Sequence, residues 1–208
     1  MTESAANRRP LKSRSTGWAR ALAAYLVRAG VAADTISLFS IIFALLGAGL
    51  LFRTSSAPAL IAVALCVQLR LLCNLLDGMV AVEGGRKSPV GVLYNEVPDR
   101  VADSLLIVAL GYAAGQPVLG WYGALAAAVT AYIRLLGGTQ GLPQDFRGPM
   151  AKPHRMAAMT LGCLLAALEV AVFGSVRALE LAAWVIAVGA TLTCATRLRA
   201  IAGQLKVR

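Results

Sequence analysis

The sequence predicts an all-α integral membrane protein with six transmembrane helices and an N-terminal amphipathic helix at the membrane interface. Hydrophobic residues make up 58% of the 208 residues, whereas soluble domains are about 45–50% apolar. Six apolar stretches reach the length of about 20 residues that a helix needs to cross a bilayer. Basic residues concentrate in the termini and in alternate loops, which is typical of loops that stay on the cytoplasmic side.

The N-terminal segment, residues 1–35, is expected to be cytoplasmic and to end in the interfacial helix. It is polar and basic for too long to be a cleavable signal peptide. From residue 16 to 29, one helical face can collect four larger apolar side chains, with arginines off that face: Trp18, Leu22, Tyr25 and Leu26. This pattern favours a helix lying on an anionic leaflet. The alternative, a basic N-terminal segment that is simply solvated, stays open.

The membrane domain, residues 36–208, accounts for the rest of the chain and leaves no room for a second domain. Its spans are predicted at 36–54, 57–77, 92–115, 117–137, 155–174 and 179–197. The distribution of basic residues places both termini and the second and fourth loops in the cytoplasm. The Ala- and Leu-rich spans favour a bacterial inner membrane. The four cysteines lie in or near spans without metal-ligand spacing and are interpreted as small, reduced, apolar residues.

The net charge of +10 does not indicate a nucleic-acid-binding protein. Its basic residues are distributed over several loops and both termini instead of forming one patch. That distribution is explained by membrane topology alone. We therefore expect a lipid bilayer, and no nucleic acid, as the partner of the basic surface.

Polar and acidic residues cluster between Asn74 and Asp103, where the second and third predicted spans meet the cytoplasm. Ionisable groups inside a span cost about 2.5–3.5 kcal/mol each on insertion scales, so such a cluster indicates a functional site. Residues three or four apart share a helical face, and the members with that spacing are Asn74, Asp77, Asn95, Asp99 and Asp103. Two helices presenting these oxygen atoms predict a pocket for Mg²⁺ or Mn²⁺.

Basic residues accompany this cluster. Arg70 lies four residues before Asn74 and seven before Asp77, so it shares their face. It either pairs with the acidic site or binds an anionic ligand, or it extends its charge to the membrane surface. Arg100 is expected to neutralise a neighbouring carboxylate. His154 is the only histidine, and without a histidine or cysteine partner it is not predicted to bind metal.

The acidic cluster resembles the signature of the CDP-alcohol phosphatidyltransferase (phosphotransferase) family. That signature is Asp, two residues, Asp-Gly, two residues, Ala-Arg, about eight residues, Gly, three residues, Asp, three residues and Asp. Asn74, Asn95 and Val82 depart from it, since the family has aspartate, aspartate and arginine there. The segment GVAADTIS before the first span is also similar to the family, with Ser37 in place of threonine. Every spacing is kept, and five positions match in type: Asp77, Gly78, Ala81, Gly91 and Asp99.

The resemblance implies an enzyme that moves a phosphatidyl group from CDP-diacylglycerol to an alcohol acceptor and releases CMP. It implies that Asp99 is the general base. It also implies that Mg²⁺ or Mn²⁺ is held by the four signature positions, Asn74, Asp77, Asn95 and Asp99. Because two of these are uncharged, we expect one strong metal site, or two if Glu96 or Asp103 is recruited.

The resemblance also assigns residues to the nucleotide and the acceptor. The nucleotide-binding set comprises Asn74, Gly78, Ala81 and Gly91. The small size of Gly78 and Ala81 would let the nucleotide approach the helix backbone. The missing arginine would be replaced by one of two loop residues that contact phosphate, Arg86 or Lys87. An acceptor phosphate would be bound near the end of span four and the start of span five, by Arg134, Lys152 and Arg155. The last two also fit ordinary cytoplasmic loop residues.

Two alternatives to an enzyme stay open. A catalytically weakened homologue that binds a lipid-linked nucleotide, or acts as a scaffold, would explain Asn74 and Asn95. A small transporter would explain the intramembrane charges but not the spaced glycine and alanine matches. Analogy with the family also predicts a homodimer.

Overall fold

The described part of the chain, residues 16–83 and 90–207 of a computed structural model, forms seven helices and no strand. This all-helical architecture confirms the predicted fold class. The helices are α1 Gly17–Arg28, α2 Ala33–Leu50, α3 Ala57–Glu83, α4 Gly91–Ala113, α5 Pro117–Thr139, α6 Lys152–Phe173 and α7 Arg177–Lys206.

Five helices in the described ranges are long and apolar enough to cross a membrane, namely α2, α3, α5, α6 and α7. The helix α4 covers the third predicted span, but its first half carries four charged residues that lower its hydropathy: Glu96, Asp99, Arg100 and Asp103. The integral membrane character is confirmed, and the count of six spans stays a prediction. The helices α3 and α7 also run beyond their predicted spans, because hydropathy marks the apolar part of a helix and not its polar continuation.

The helix α4 packs against α2, α5 and α7, and this places its charged half among the other helices. At its far end it meets α5 through Gly111 and Gly120. A Cβ atom added to Gly120 would lie only 2.8 Å from the Cα atom of Gly111. Such contacts between small residues let two helix backbones approach closely in a membrane. The glycine pair therefore fixes the position of α4 relative to α5.

The helix α1 lies against the motif end of α3. Its Ala19 and Ala23 are fully buried in a cluster that includes Met79 of α3. Trp18 and Tyr25 are 56% and 61% exposed, so the aromatic residues of the predicted amphipathic face are free of the protein core. Placement of these side chains in a lipid leaflet, and the division of the chain at residue 35, stay predictions.

Candidate active site

The facing ends of α3 and α4 bring three of the four predicted metal-ligand positions together. Asn74 and Asp77 lie three residues apart on α3 and therefore share a face. The amide nitrogen Nδ2 of Asn74 donates a hydrogen bond of 2.5 Å to Oδ1 of Asp99 on α4. Asp77 is buried, and its Oδ2 accepts a hydrogen bond of 2.8 Å from the hydroxyl of Ser37 on α2. Three helices thus hold this group of oxygen atoms.

The other residues that the signature assigned lie around this group or outside the described ranges. Asn95 is exposed in the first half of α4, four residues before Asp99. Gly78, Ala81 and Gly91 are half-buried. The predicted phosphate-binding residues of the intervening loop lie outside the described residues: Arg86 and Lys87.

The Asp99 carboxylate is surrounded by cationic groups. Lys152 Nζ, at the first position of α6, donates to its Oδ2. Arg70 Nη2 lies 3.5 Å from its Oδ1 and 3.4 Å from its backbone oxygen. Arg100 Nη2 lies 3.7 Å from Oδ2, in agreement with its predicted neutralising position. The carboxylate is therefore oriented by contacts from three helices, α3, α4 and α6.

A buried ion network lies directly behind Asp99. Arg70 of α3 is completely buried, and its Nη2 atom lies 2.6 Å from Oδ1 of Asp103 on α4. The other carboxylate oxygen of Asp103 lies 2.7 Å from Nη2 of Arg155 on α6. Arg155 also donates to the backbone oxygen of Met150 at 2.9 Å. Of the three interpretations of Arg70, the structure favours pairing with the acidic site, because its guanidinium is enclosed by protein.

A second basic group lies at the end of α5. Both oxygen atoms of Glu96 accept hydrogen bonds from Arg134 Nη2, at 2.6 and 2.7 Å. Arg134 also donates to Gln144, and its guanidinium carbon lies 5.4 Å from the ring centroid of Phe146. Glu96 therefore pairs with Arg134 and not with the cations that surround Asp99. The Arg134 side chain lies between α4 and the loop that precedes α6 and contacts both.

Two residues at this end were not singled out from the sequence as site residues. Ser37 was noted only as a substitution for threonine, yet it binds Asp77. Arg197 is the last residue of the sixth predicted span, but α7 continues past it to Lys206. It is buried and donates to the backbone oxygen atoms of Thr130 at 2.6 Å and Arg147 at 2.9 Å. The sequence signal for Ser37 was its position in the segment that resembles the family. For Arg197, the hydropathy pattern gave no signal that α7 is this long.

The donor atoms of this site fit a hard divalent cation. The described ranges contain no group of three His, Cys, Asp or Glu side chains that could hold a metal ion. However, the amide oxygen Oδ1 of Asn74 is buried and has no hydrogen-bond partner among the described residues. It lies beside the carboxylates of Asp77 and Asp99, and carboxylate and amide oxygen atoms are the donors that Mg²⁺ and Mn²⁺ prefer. The set would hold such an ion with one amide and two carboxylates.

Several known proteins are similar to this chain in sequence or fold. No protein-family model matches the sequence. The archaetidylinositol phosphate synthase of Aeropyrum pernix is 32% identical over 142 residues, which cover 68% of this chain and 70% of that protein. The phosphatidylinositol phosphate synthase of Mycobacteroides abscessus is 27% identical over 190 residues, covering 86% and 81%. The crystal structure of the Mycobacterium tuberculosis phosphatidylinositol phosphate synthase with manganese and citrate matches with a TM-score of 0.72 at 25% identity, covering 88% of each chain.

Together, the helical membrane fold and the oxygen-rich site between α3 and α4 define an integral membrane enzyme of phospholipid synthesis. The chain belongs to the CDP-alcohol phosphatidyltransferase family. Membership confirms the resemblance that rested on Asp77, Gly78, Ala81, Gly91 and Asp99.

Proposed function

We propose that the chain transfers the phosphatidyl group of CDP-diacylglycerol to the hydroxyl group of an alcohol, with release of CMP, at the site between α3 and α4. Phosphatidyl transfer by a divalent-metal-dependent enzyme follows from family membership. The observation that carries the assignment to this site is the convergence of Asn74, Asp77 and Asp99. The phosphatidylinositol phosphate synthase of Mycobacterium tuberculosis was also solved with CDP-DAG bound, which supports the same donor here.

In this proposal, the side chains orient the donor and accept a proton. Asp99 takes the proton of the acceptor hydroxyl group as it attacks phosphorus. Asn74 holds Oδ1 of Asp99 through its amide nitrogen and offers its unpaired oxygen to the cation. A divalent ion bound by Asn74, Asp77 and Asp99 would balance the diphosphate charge and polarise the phosphoryl oxygen atoms. Gly78 leaves space for the nucleotide beside α3.

The acceptor is proposed to carry a phosphate group, with inositol phosphate as the first compound to test. The curated relatives described above are named for inositol phosphate lipids. Three arginines at the site end of α5 to α7 supply the matching charge: Arg134, Arg155 and Arg197. Arginine forms bidentate hydrogen bonds with phosphate. Of these residues, Arg134 has the more accessible guanidinium, since Arg155 and Arg197 are buried.

The test is CMP release by purified protein in nanodiscs with CDP-diacylglycerol and Mn²⁺ or Mg²⁺. The alcohol panel includes inositol phosphate, inositol, glycerol phosphate and serine. We expect metal-dependent CMP release with a phosphorylated alcohol, a matching new phospholipid, and loss of turnover when EDTA removes the ion. If the protein binds CDP-diacylglycerol but releases no CMP with any alcohol, it is a binding or scaffold protein instead.

We further propose that the site faces the cytoplasm of a bacterial inner membrane. Exposed basic residues lie at the site end of the helices, including Arg147, Arg199 and Lys206, whereas Arg53 and Arg177 lie at the opposite end. In a background in which the four native cysteines are replaced, the variants Ala202→Cys and Ser55→Cys place single reporters at the two ends. An impermeant maleimide added to intact cells is expected to label Ser55→Cys and not Ala202→Cys. The reverse pattern would invert the proposed topology.

A homodimer is proposed by analogy with the family. Native mass spectrometry of the protein released from nanodiscs or detergent is expected to detect the dimer. A monomer as the sole species across lipid conditions would contradict this assignment.

Replacing Ser37 with alanine is expected to lower turnover about tenfold and to weaken Mn²⁺ binding. The change removes the hydroxyl that donates to buried Asp77, and a hydrogen bond to a charged group contributes about 1.5–3 kcal/mol. Steady-state CMP release and Mn²⁺ titration measure both effects. Ser37→Thr keeps the hydroxyl and should retain most activity; equal losses in the two variants would show that the hydrogen bond is not the cause.

A further inference from the structure

The carboxylates near the site divide into two groups. Glu96 is bound to Arg134 through both of its oxygen atoms. Asp103 is bound to Arg70 and Arg155, one through each oxygen atom. Neither carboxylate is therefore available as an additional metal ligand. Among the described side chains, the carboxylates that remain for a cation at the site are those of Asp77 and Asp99.

One of these two carboxylates already contacts a fixed cation. Lys152 Nζ binds Oδ2 of Asp99, while Asn74 Nδ2 binds the other oxygen. Lys152 is the first residue of α6, followed by Pro153, and its side chain is only 20% exposed. Proline at the start of a helix is pre-organised for the helical conformation. Both carboxylate oxygen atoms of Asp99 therefore already contact protein groups, and one of these groups is a cation.

The charged side chains around Asp99 carry no excess of negative charge before any metal ion binds. Three carboxylates, those of Asp77, Asp99 and Asp103, lie at the site, and three buried or half-buried cations, Arg70, Lys152 and Arg155, pair with Asp99 and Asp103. Arg100 adds a further, partly exposed positive charge. One divalent ion would bring two positive charges, which match the two negative charges of a diphosphate diester. A second ion would leave two more positive charges uncompensated in a region of low dielectric constant, where like charges repel strongly.

We propose that this site binds a single divalent cation and that the Lys152 ammonium group, in place of a second metal ion, supplies a further positive charge to the diphosphate of the donor. The proposal rests on the proposed function for the identity of the donor. It goes beyond that function in excluding a second ion and in assigning Lys152 to the donor diphosphate, whereas the family resemblance implied an acceptor phosphate. A tethered ammonium group provides charge without the exchange and coordination requirements of a metal ion.

The first test is the number of Mn²⁺ ions that the full-length protein binds in nanodiscs. Electron paramagnetic resonance of free Mn²⁺ during a titration, with metal analysis after desalting, gives the stoichiometry without turnover. We expect one tight ion per chain and no spin-coupled Mn²⁺ pair. Two tight ions per chain would overturn the proposal whether or not the protein releases CMP.

The second test compares Lys152→Met with Lys206→Met, a matched control at an exposed position near the end of α7. Removing the ammonium group from Asp99 should tighten Mn²⁺ binding about tenfold, because it removes like-charge repulsion. It should also lower turnover at saturating Mn²⁺ about tenfold or more, since one charge on the diphosphate is lost. Lys206→Met should change neither quantity.

Lys152→Arg separates charge from folding, because it keeps the positive charge at the same position. We expect it to retain one Mn²⁺ ion and more turnover than Lys152→Met. Full turnover of Lys152→Met at saturating Mn²⁺ would overturn the role of Lys152, and so would weaker Mn²⁺ binding in that variant. Absence of CMP release by the wild-type protein, with one bound Mn²⁺ ion, would instead contradict the proposed function alone.

Discussion

Asp99→Asn is expected to lower the rate of CMP release about 10³-fold, within the range that a general base contributes. Asparagine has nearly the shape of aspartate and keeps an oxygen atom for the amide of Asn74, which donates at 2.5 Å in the wild-type protein. It cannot accept the proton of the acceptor hydroxyl group, and it removes one of the two carboxylates available to the cation. Turnover should fall while the protein remains inserted and folded.

The control for Asp99→Asn is Glu180→Gln, a carboxylate-to-amide change at the opposite end of the bundle. Glu180 accepts a hydrogen bond of 3.2 Å from Gln116, and its replacement should leave turnover unchanged. Activity is measured as initial CMP release at saturating donor and Mn²⁺, and folding by size-exclusion profile and circular dichroism. Asp99→Asn with more than about a tenth of wild-type turnover would be inconsistent with a general base at this position.

The sequence was sufficient to predict the membrane class, the helices and two candidate site residues that the structure brings into contact, Asn74 and Asp99. Hydropathy locates apolar helices because backbone groups in lipid must be satisfied within the helix. The three-residue spacing of Asn74 and Asp77 predicts a common face on α3, and the four-residue spacing of Asp99 and Asp103 predicts a common face on α4, since helical periodicity is local information.

The pairing partners of the site residues could not be predicted, because they come from helices distant in the chain. Lys152 is 53 residues from Asp99, and Arg155 is 52 residues from Asp103. Spacing along one helix carries no information about which of several basic residues faces which carboxylate. Lys152 therefore resembled an ordinary loop lysine or an acceptor ligand in the sequence, and its contact with Asp99 depends on how α6 packs against α3.

Asp103→Leu is expected to lower the free energy of unfolding by about 3–5 kcal/mol, the cost of removing one partner from a buried ion pair. The change leaves the guanidinium groups of Arg70 and Arg155 facing each other without the carboxylate that binds both, at 2.6 and 2.7 Å in the wild-type protein. Unfolding in mixed detergent and SDS, followed by circular dichroism, measures the loss. Glu180→Leu, at a solvent-accessible hydrogen bond, should change stability by no more than about 1 kcal/mol.

The triple variant Arg70→Met, Asp103→Leu, Arg155→Met separates the structural role of this network from its role in turnover. Replacing a whole buried ion network with apolar side chains of similar volume is often neutral or stabilising, so most of the stability lost in Asp103→Leu should return. Turnover should stay low, because Asp99 loses the guanidinium group that lies 3.5 Å from its Oδ1. If the triple variant regains wild-type turnover together with its stability, the network serves the fold alone. If it regains stability without turnover, the network serves the site as well as the fold, through Arg70 on the Asp99 carboxylate or through Arg155 on the acceptor.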